Sequence, residues 1–294
     1  MTDWQTGDVE ANGVTLHYTR TGGDKPPVVL AHGVTDSGLC WSPVAVELAT
    51  DYDLVMVDAR GHGHSSAPES GYDPATQAAD LAGLIGALGL ERPAVLGHSM
   101  GAATALVMAG TFPDVPGAIL LEDPPSWWLG GPEPAHAAER RARMRERFIE
   151  QRKLTREALL AAERGEHPGW SEAELQPWAD AKLRYSPNVA QILNTDNATG
   201  VDWPAVLARI TCPALLITAD PERGAIVTTE SAAALRALVP HLRIAHVAEA
   251  GHSVRRDQLT PYLDVVRALL AEWATTRETE RGRVASSPAA AALS

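Results

Sequence analysis

Ser99 stands between two glycines, in Gly97-His98-Ser99-Met100-Gly101, with an apolar run before it and a helix-like run after it. A serine on a tight strand-to-helix turn is a candidate nucleophile. The turn lifts its oxygen clear of the sheet, and the flanking glycines leave room for the crossing. A hydroxyl is a weak nucleophile at neutral pH and needs a base. His252, in "AEAGHSVRRD" after the apolar run 242–247, is placed to be that base. A loop that follows a late strand lies on the same sheet edge as the serine turn. The imidazole in turn needs a carboxylate to orient it. Asp220, at the end of the run 212–219 with Pro221 behind it, is the preferred acid; Glu222 and Asp123 are the alternatives. A tetrahedral oxyanion also needs donors. The backbone N–H of Met100 supplies one, and that of Val34, in "AHGVTDSGLCW", the second. His32 reads as a brace for that loop.

These residues need a frame. Residues 14–19 alternate as a half-buried strand does; 26–33 and 53–65 read as apolar strands ended by glycine-bearing turns, and 93–99, 117–125, 212–220 and 242–247 as further short apolar strands. Helical spacing recurs in 76–90, 100–113, 228–240 and 259–274. Continuously apolar strands alternating with helices predict an α/β fold, its mostly parallel sheet covered on both faces. The rhythm breaks between 124 and 205, which hold no convincing strand but five of the eight tryptophans. The expectation is a core of 1–123 and 206–275 interrupted by a helical insertion at 124–205. Residues 276–294 are polar and then low in complexity, and a disordered tail is expected there. Trp127 and Trp128 leave the core beside the active edge, and Trp41 follows the Val34 loop; all three are candidates to wall a substrate pocket.

Bulk properties exclude several partners. A net charge of −12 argues against nucleic acid or an anionic membrane surface. The apolar runs are too short to span a bilayer. The first residues lack the basic and apolar regions of a signal peptide, so a cytoplasmic location is expected. Two cysteines make no disulfide framework. His62 and His64 form His-x-His, but no further ligand cluster accompanies them, and neither metal nor cofactor is expected.

Taken together, "HGVTDSGLCW", "DARGHGHSS", "GHSMGAA", "ITADPERGAIV" and "AGHS" occur in an order that resembles the α/β-hydrolase fold superfamily. The resemblance covers roughly 14–123 and 206–273. It implies an eight-stranded, mostly parallel sheet with a helical cap inserted after the sixth strand. It also implies a serine hydrolase acting on a small-molecule carboxylic ester or lactone. The tryptophan-rich cap points to an apolar or aromatic substrate. A serine rather than an aspartate at the nucleophile position disfavours the dehalogenases of the superfamily. Relatives with the same constellation remain as alternatives: carbon–carbon bond hydrolases, perhydrolases or haloperoxidases, aminopeptidases, and receptors that bind a ligand without rapid turnover.

Overall fold

Strands β3 (Pro27–Ala31), β4 (Asp53–Val57), β5 (Ala94–His98), β6 (Ala118–Glu122) and β7 (Ala214–Thr218) are buried along their whole length. In the computed structural model, which describes residues 4–130, 136–194 and 200–285, their side chains divide between two cores. Val28, Leu30, Leu54, Met56, Leu96 and Leu120 join one cluster, and Val29, Val55, Val95, Ile119 and Leu121 the other. A period of two with both phases apolar is what a sheet covered on both faces requires. Helices α1 (Ser42–Leu48), α9 (Val254–Asp257) and α10 (Leu259–Ala285) cover the first face. Helices α2 (Pro74–Ala87), α3 (Met100–Thr111) and α8 (Thr229–Leu238) cover the second.

The sheet has eight strands in the order β1-β2-β4-β3-β5-β6-β7-β8, where β8 is Arg243–His246. The hairpin of β1 (Gln5–Ala11) and β2 (Val14–Arg20) is antiparallel and joins β4 antiparallel; every later pairing is parallel. Strand β1 escapes a reading of the sequence because its residues, QTGDVEA, are mostly exposed or half-buried and show no apolar face.

Between β6 and β7 the chain builds the cap: α4 (Ala137–Gln151), α5 (Arg156–Glu166), α6 (Glu172–Lys182), a 3-10 segment Pro187–Leu193 and α7 (Trp203–Leu207). Side chains of Thr155, Ser171 and Asp202 cap the N-termini of α5, α6 and α7 by accepting from backbone N–H groups. Trp203 and Leu207 join the core cluster rather than the cap's own, so α7 anchors the cap's return to the sheet.

The disordered tail expected from 276 onward is corrected by α10, which continues to Ala285. The stretch is rich in Glu and Arg, good helix formers, and Arg277 and Arg281 reach back to the carbonyl and carboxylate of Glu91. Residues 286–294 of that expectation lie outside the described residues. No helix among the described residues is long and apolar enough to cross a membrane.

The turn from β5 into α3 is held by close backbone approach. A Cβ on Gly101 would lie 2.1 Å from the carbonyl oxygen of Ala31, and one on Gly97 would lie 2.4 Å from that of Gly101. Both obstacles are main chain and cannot swing away. Helix propensity alone favours Gly101→Ala by about 1 kcal/mol. Overpacking here outweighs that gain, since forced backbone shifts cost about 1–3 kcal/mol or more. Gly101→Ala is therefore expected to lower the urea midpoint; an unchanged or raised midpoint would show that β3 and α3 are not in contact as described.

Candidate active site

Parallel pairing sets the site. His98 is in register with Glu122, and the Ser99 N–H donates to the Glu122 carbonyl at 2.9 Å. The ladder thus runs one residue past each strand, and Ser99 and Asp123 leave the sheet as neighbours. Both turn sharply, with φ of 49° and 42°. Positive φ is uncommon outside glycine and marks strain that the surroundings must hold.

Asp123 is fully buried. Its carboxylate accepts the N–H groups of Ile226, at 2.9 Å, and Val227, at 2.9 Å. It also accepts the Nδ1–H of His252 at 2.7 Å. A carboxylate can only accept, so this contact fixes the proton on Nδ1 and leaves Nε2 with its lone pair. The Ser99 hydroxyl donates to that Nε2 at 3.1 Å. The result is a directed chain from hydroxyl to imidazole to buried carboxylate. Its outer end is accessible: the His252 side chain is 37% exposed, against 0% for Asp123.

The acid expected from the sequence sits elsewhere. Asp220 accepts from His246 Nε2 at 2.9 Å and from the Glu249 N–H at 2.8 Å, and so braces the loop after β8. Glu222 is exposed in a 3-10 turn, Pro221–Arg223. Asp220 lies two residues beyond β7, one strand further from Ser99 than Asp123, and its carboxylate is taken up by that brace. The signal that singles out Asp123 is register rather than motif: it is the residue after β6 as Ser99 is the residue after β5.

Of the two expected oxyanion donors, Met100 follows the serine directly, and Val34 follows Gly33, which abuts it. Met100 opens α3, and neither its N–H nor that of Val34 has a hydrogen-bond partner among the described residues. Gly33 packs so tightly that a Cβ there would meet His98 Nδ1 at 2.6 Å and the Ser99 Cβ at 3.6 Å. His32 braces the loop, its Nδ1–H donating to the Gly33 carbonyl at 2.8 Å and its Nε2 accepting from the Ala59 N–H at 3.0 Å. His98 donates Nε2–H to the His252 carbonyl at 3.0 Å. Burial, with Arg255 and His252 nearby, holds its pKa well below the usual histidine value, so it is a neutral strut. In "DARGHGHSS", Asp58 accepts the N–H groups of Gly38 and His64, and Arg60 pairs with Asp80. His62 and His64 turn to different neighbours, His32 and His17.

Of the expected pocket tryptophans, two are corrected. Trp41 is fully buried in the core, with the Arg255 guanidinium 4.2 Å from its ring centre. Trp128 is buried too, and its indole N–H donates to the Ser231 carbonyl at 2.9 Å. Each indole buries its large apolar face in a core cluster, Trp41 on one face of the sheet and Trp128 on the other. Trp127 is half-buried against Trp203. The apolar roof beside the oxyanion loop comes from cap residues the sequence did not single out. Phe148, Tyr185 and Val189 pack together with Tyr72, and Val34 packs against them.

Beneath the site lies a group of buried charges. Asp36 pairs with Lys182, Arg255 and Arg256; Glu122 pairs with Arg255; Glu174 pairs with Arg256. Burial alone would raise the Asp36 carboxyl, but Arg256, Lys182 and Arg255 hold it well below the ordinary carboxylate range.

The family model described as alpha/beta hydrolase fold matches residues 26–254. N-formylmaleamate deformylase of Pseudomonas putida is 31% identical over 263 residues, covering 86% of this chain and 91% of that protein. An esterase of Mycobacterium tuberculosis is 30% identical over 274 residues, covering 85% of each chain. The crystal structure of E-2-(acetamidomethylene)succinate hydrolase superposes with a TM-score of 0.77 at 23% identity, over 91% of this chain and 99% of that one.

A buried acid whose pKa is lower folded than unfolded stabilises the fold above its unfolded value. That contribution fades as pH falls toward its folded value. Asp36→Asn should therefore cost about 3–5 kcal/mol at pH 7, the penalty for breaking a buried pair. The gap to the wild type should narrow below about pH 4. Urea unfolding at pH 7 and pH 3 measures it, and equal gaps at both would count against an ionised Asp36.

Proposed function

This chain belongs to the α/β hydrolase fold family and is a hydrolase, and from that premise we propose that it cleaves small carboxylic esters, lactones included, through an acyl-enzyme on Ser99. The observation that carries the reading is the hydrogen-bonded series Ser99, His252, Asp123, at 3.1 and 2.7 Å. Ser99 Oγ attacks the carbonyl carbon as its proton passes to His252 Nε2. Asp123 stabilises the imidazolium that forms. The carbonyl oxygen, now negative, rests on the Val34 and Met100 N–H groups. Collapse breaks the acyl–oxygen bond, and His252 returns the proton to the leaving alkoxide. Water then gives a proton to the same nitrogen as it attacks the acyl-enzyme, and collapse breaks the bond to Ser99 Oγ, which takes that proton back from His252 as the acid leaves. The apolar roof of Phe148, Tyr185 and Val189 supports a substrate with an apolar portion near Val34.

A second reading keeps the residues and changes the bond. The deformylase relative, 31% identical over most of its length, supports cleavage of an acyl–nitrogen bond, with His252 protonating the departing nitrogen.

A panel of p-nitrophenyl esters, aryl esters, lactones and N-acyl compounds separates the two. Ser99→Ala is expected to abolish turnover with the circular dichroism spectrum intact, and persistent activity would exclude Ser99. Asp123→Asn should lower kcat on the order of 10⁴-fold, as loss of the orienting carboxylate does elsewhere. Asp220→Asn should stay within about threefold, as a surface loop brace would. The reverse order would move the acid back to Asp220.

A further inference from the structure

Lys182, the last residue of α6, is almost completely buried. A buried ammonium is costly unless its donors are satisfied. Its Nζ donates to the Thr35 carbonyl at 3.0 Å and to Asp36 Oδ1 at 3.0 Å, and it lies 4.7 Å from the Trp178 ring centre. Thr35 and Asp36 directly follow Val34, and their N–H groups both donate to the Gly33 carbonyl, closing the turn that carries Val34. The cap thus grips the oxyanion loop from a side chain that lies outside the loop's own domain.

The same helix holds a second tie. Glu174, two turns before Lys182 on the same face, accepts from Arg256 Nε at 3.2 Å. Arg256 also donates to Asp36 Oδ2 at 3.0 Å. Arg255 joins Asp36, at 3.4 Å, to Glu122, at 3.1 Å, the residue before Asp123. Helix α6 therefore contributes one charge of each sign to a buried group of three acids and three bases. Lifting α6 would take one partner from Asp36 and one from Arg256, leaving Asp36 with the two arginines and the buried group one acid and one base short.

We infer that Lys182 is a positioning residue for catalysis: by holding Thr35 and Asp36 it sets the Val34 N–H in the oxyanion site, which makes the α6 leg of the cap a fixed part of the active site. The inference rests on the reading of Ser99 as nucleophile and Val34 as donor. Lys182 touches no reacting atom; it acts through the loop.

The test is Lys182→Met, which keeps the length of the side chain and removes its charge and donors. Reaction with a fluorophosphonate probe builds negative charge on oxygen at Ser99 without needing the natural substrate. The labelling rate and kcat for a p-nitrophenyl ester should each fall about tenfold or more, a share of the ~10²–10³ lost with a whole donor. KM should stay within threefold, Lys182→Arg should recover part of the rate, and amide hydrogen exchange should quicken at 34–36. A lowered melting temperature with wild-type labelling and kcat would overturn the inference and leave only a structural tie. Should Lys182→Met not fold, Lys182→Gln carries the test, because its shorter amide cannot span the Thr35 carbonyl and Asp36 together; a wild-type rate there overturns the inference equally. Failure of the wild type to label, or labelling of Ser99→Ala, would instead defeat the nucleophile reading. The exchange arm stands either way, and unchanged exchange at 34–36 overturns the grip itself.

Discussion

One hydrogen bond, from the Ser99 N–H to the Glu122 carbonyl, fixes the geometry on which the candidate site depends. It extends a parallel ladder past the ends of β5 and β6, so that the serine and a carboxylate emerge side by side. Everything else serves that pair. The glycines at 97 and 101 let β5 run into α3 against β3. The N–H groups of Ile226 and Val227 satisfy Asp123 from the loop after β7. The His252 loop then needs only to span the gap; the His98 side chain holds the His252 carbonyl, and the Arg255 N–H, three residues on, is held by the Glu122 carboxylate.

Below that edge the chain spends ionic pairs where most cores spend leucines. Six buried charges of balanced sign tie the oxyanion loop, the end of β6, the segment after His252 and cap helix α6 into one body. Such a group contributes little net stability compared with an apolar replacement. What it contributes is geometry, because a charged pair in a dry interior tolerates few alternative arrangements. The apolar cluster of Phe148, Tyr185 and Val189 does the complementary work above the site, where shape rather than angle matters.

Local pattern carried the reading of the sequence a long way. The short apolar strands, the interruption after 123 and the serine turn all express themselves within ten or so residues. The proximity of Ser99 and His252 followed from which sheet edge their loops share. The acid did not follow, because Asp123 and Asp220 both come just after apolar runs in the sequence, and what distinguishes them is the pairing and exact ends of β6 and β7. The tryptophans misled for a related reason: an indole's identity does not say whether it faces a cavity or the underside of a loop, and Trp41 and Trp128 face inward. The buried charges were invisible in the sequence, since Asp36, Lys182 and Arg256 look like ordinary surface residues until the fold brings them within 3.0 Å.

The backbone at the two turning residues also limits the chemistry this scaffold can host. At φ of 49° and 42°, Ser99 and Asp123 occupy a region where a side chain branched at Cβ collides with its own main chain. Threonine offers the same hydroxyl as serine, yet its extra methyl is excluded at 99 before any question of reactivity arises. Aspartate is among the few residues that adopt positive φ readily, which favours it at 123 over residues of equal charge and longer reach. The set of permissible nucleophiles and acids is thus drawn by main-chain sterics first, and proton affinity selects only among what remains.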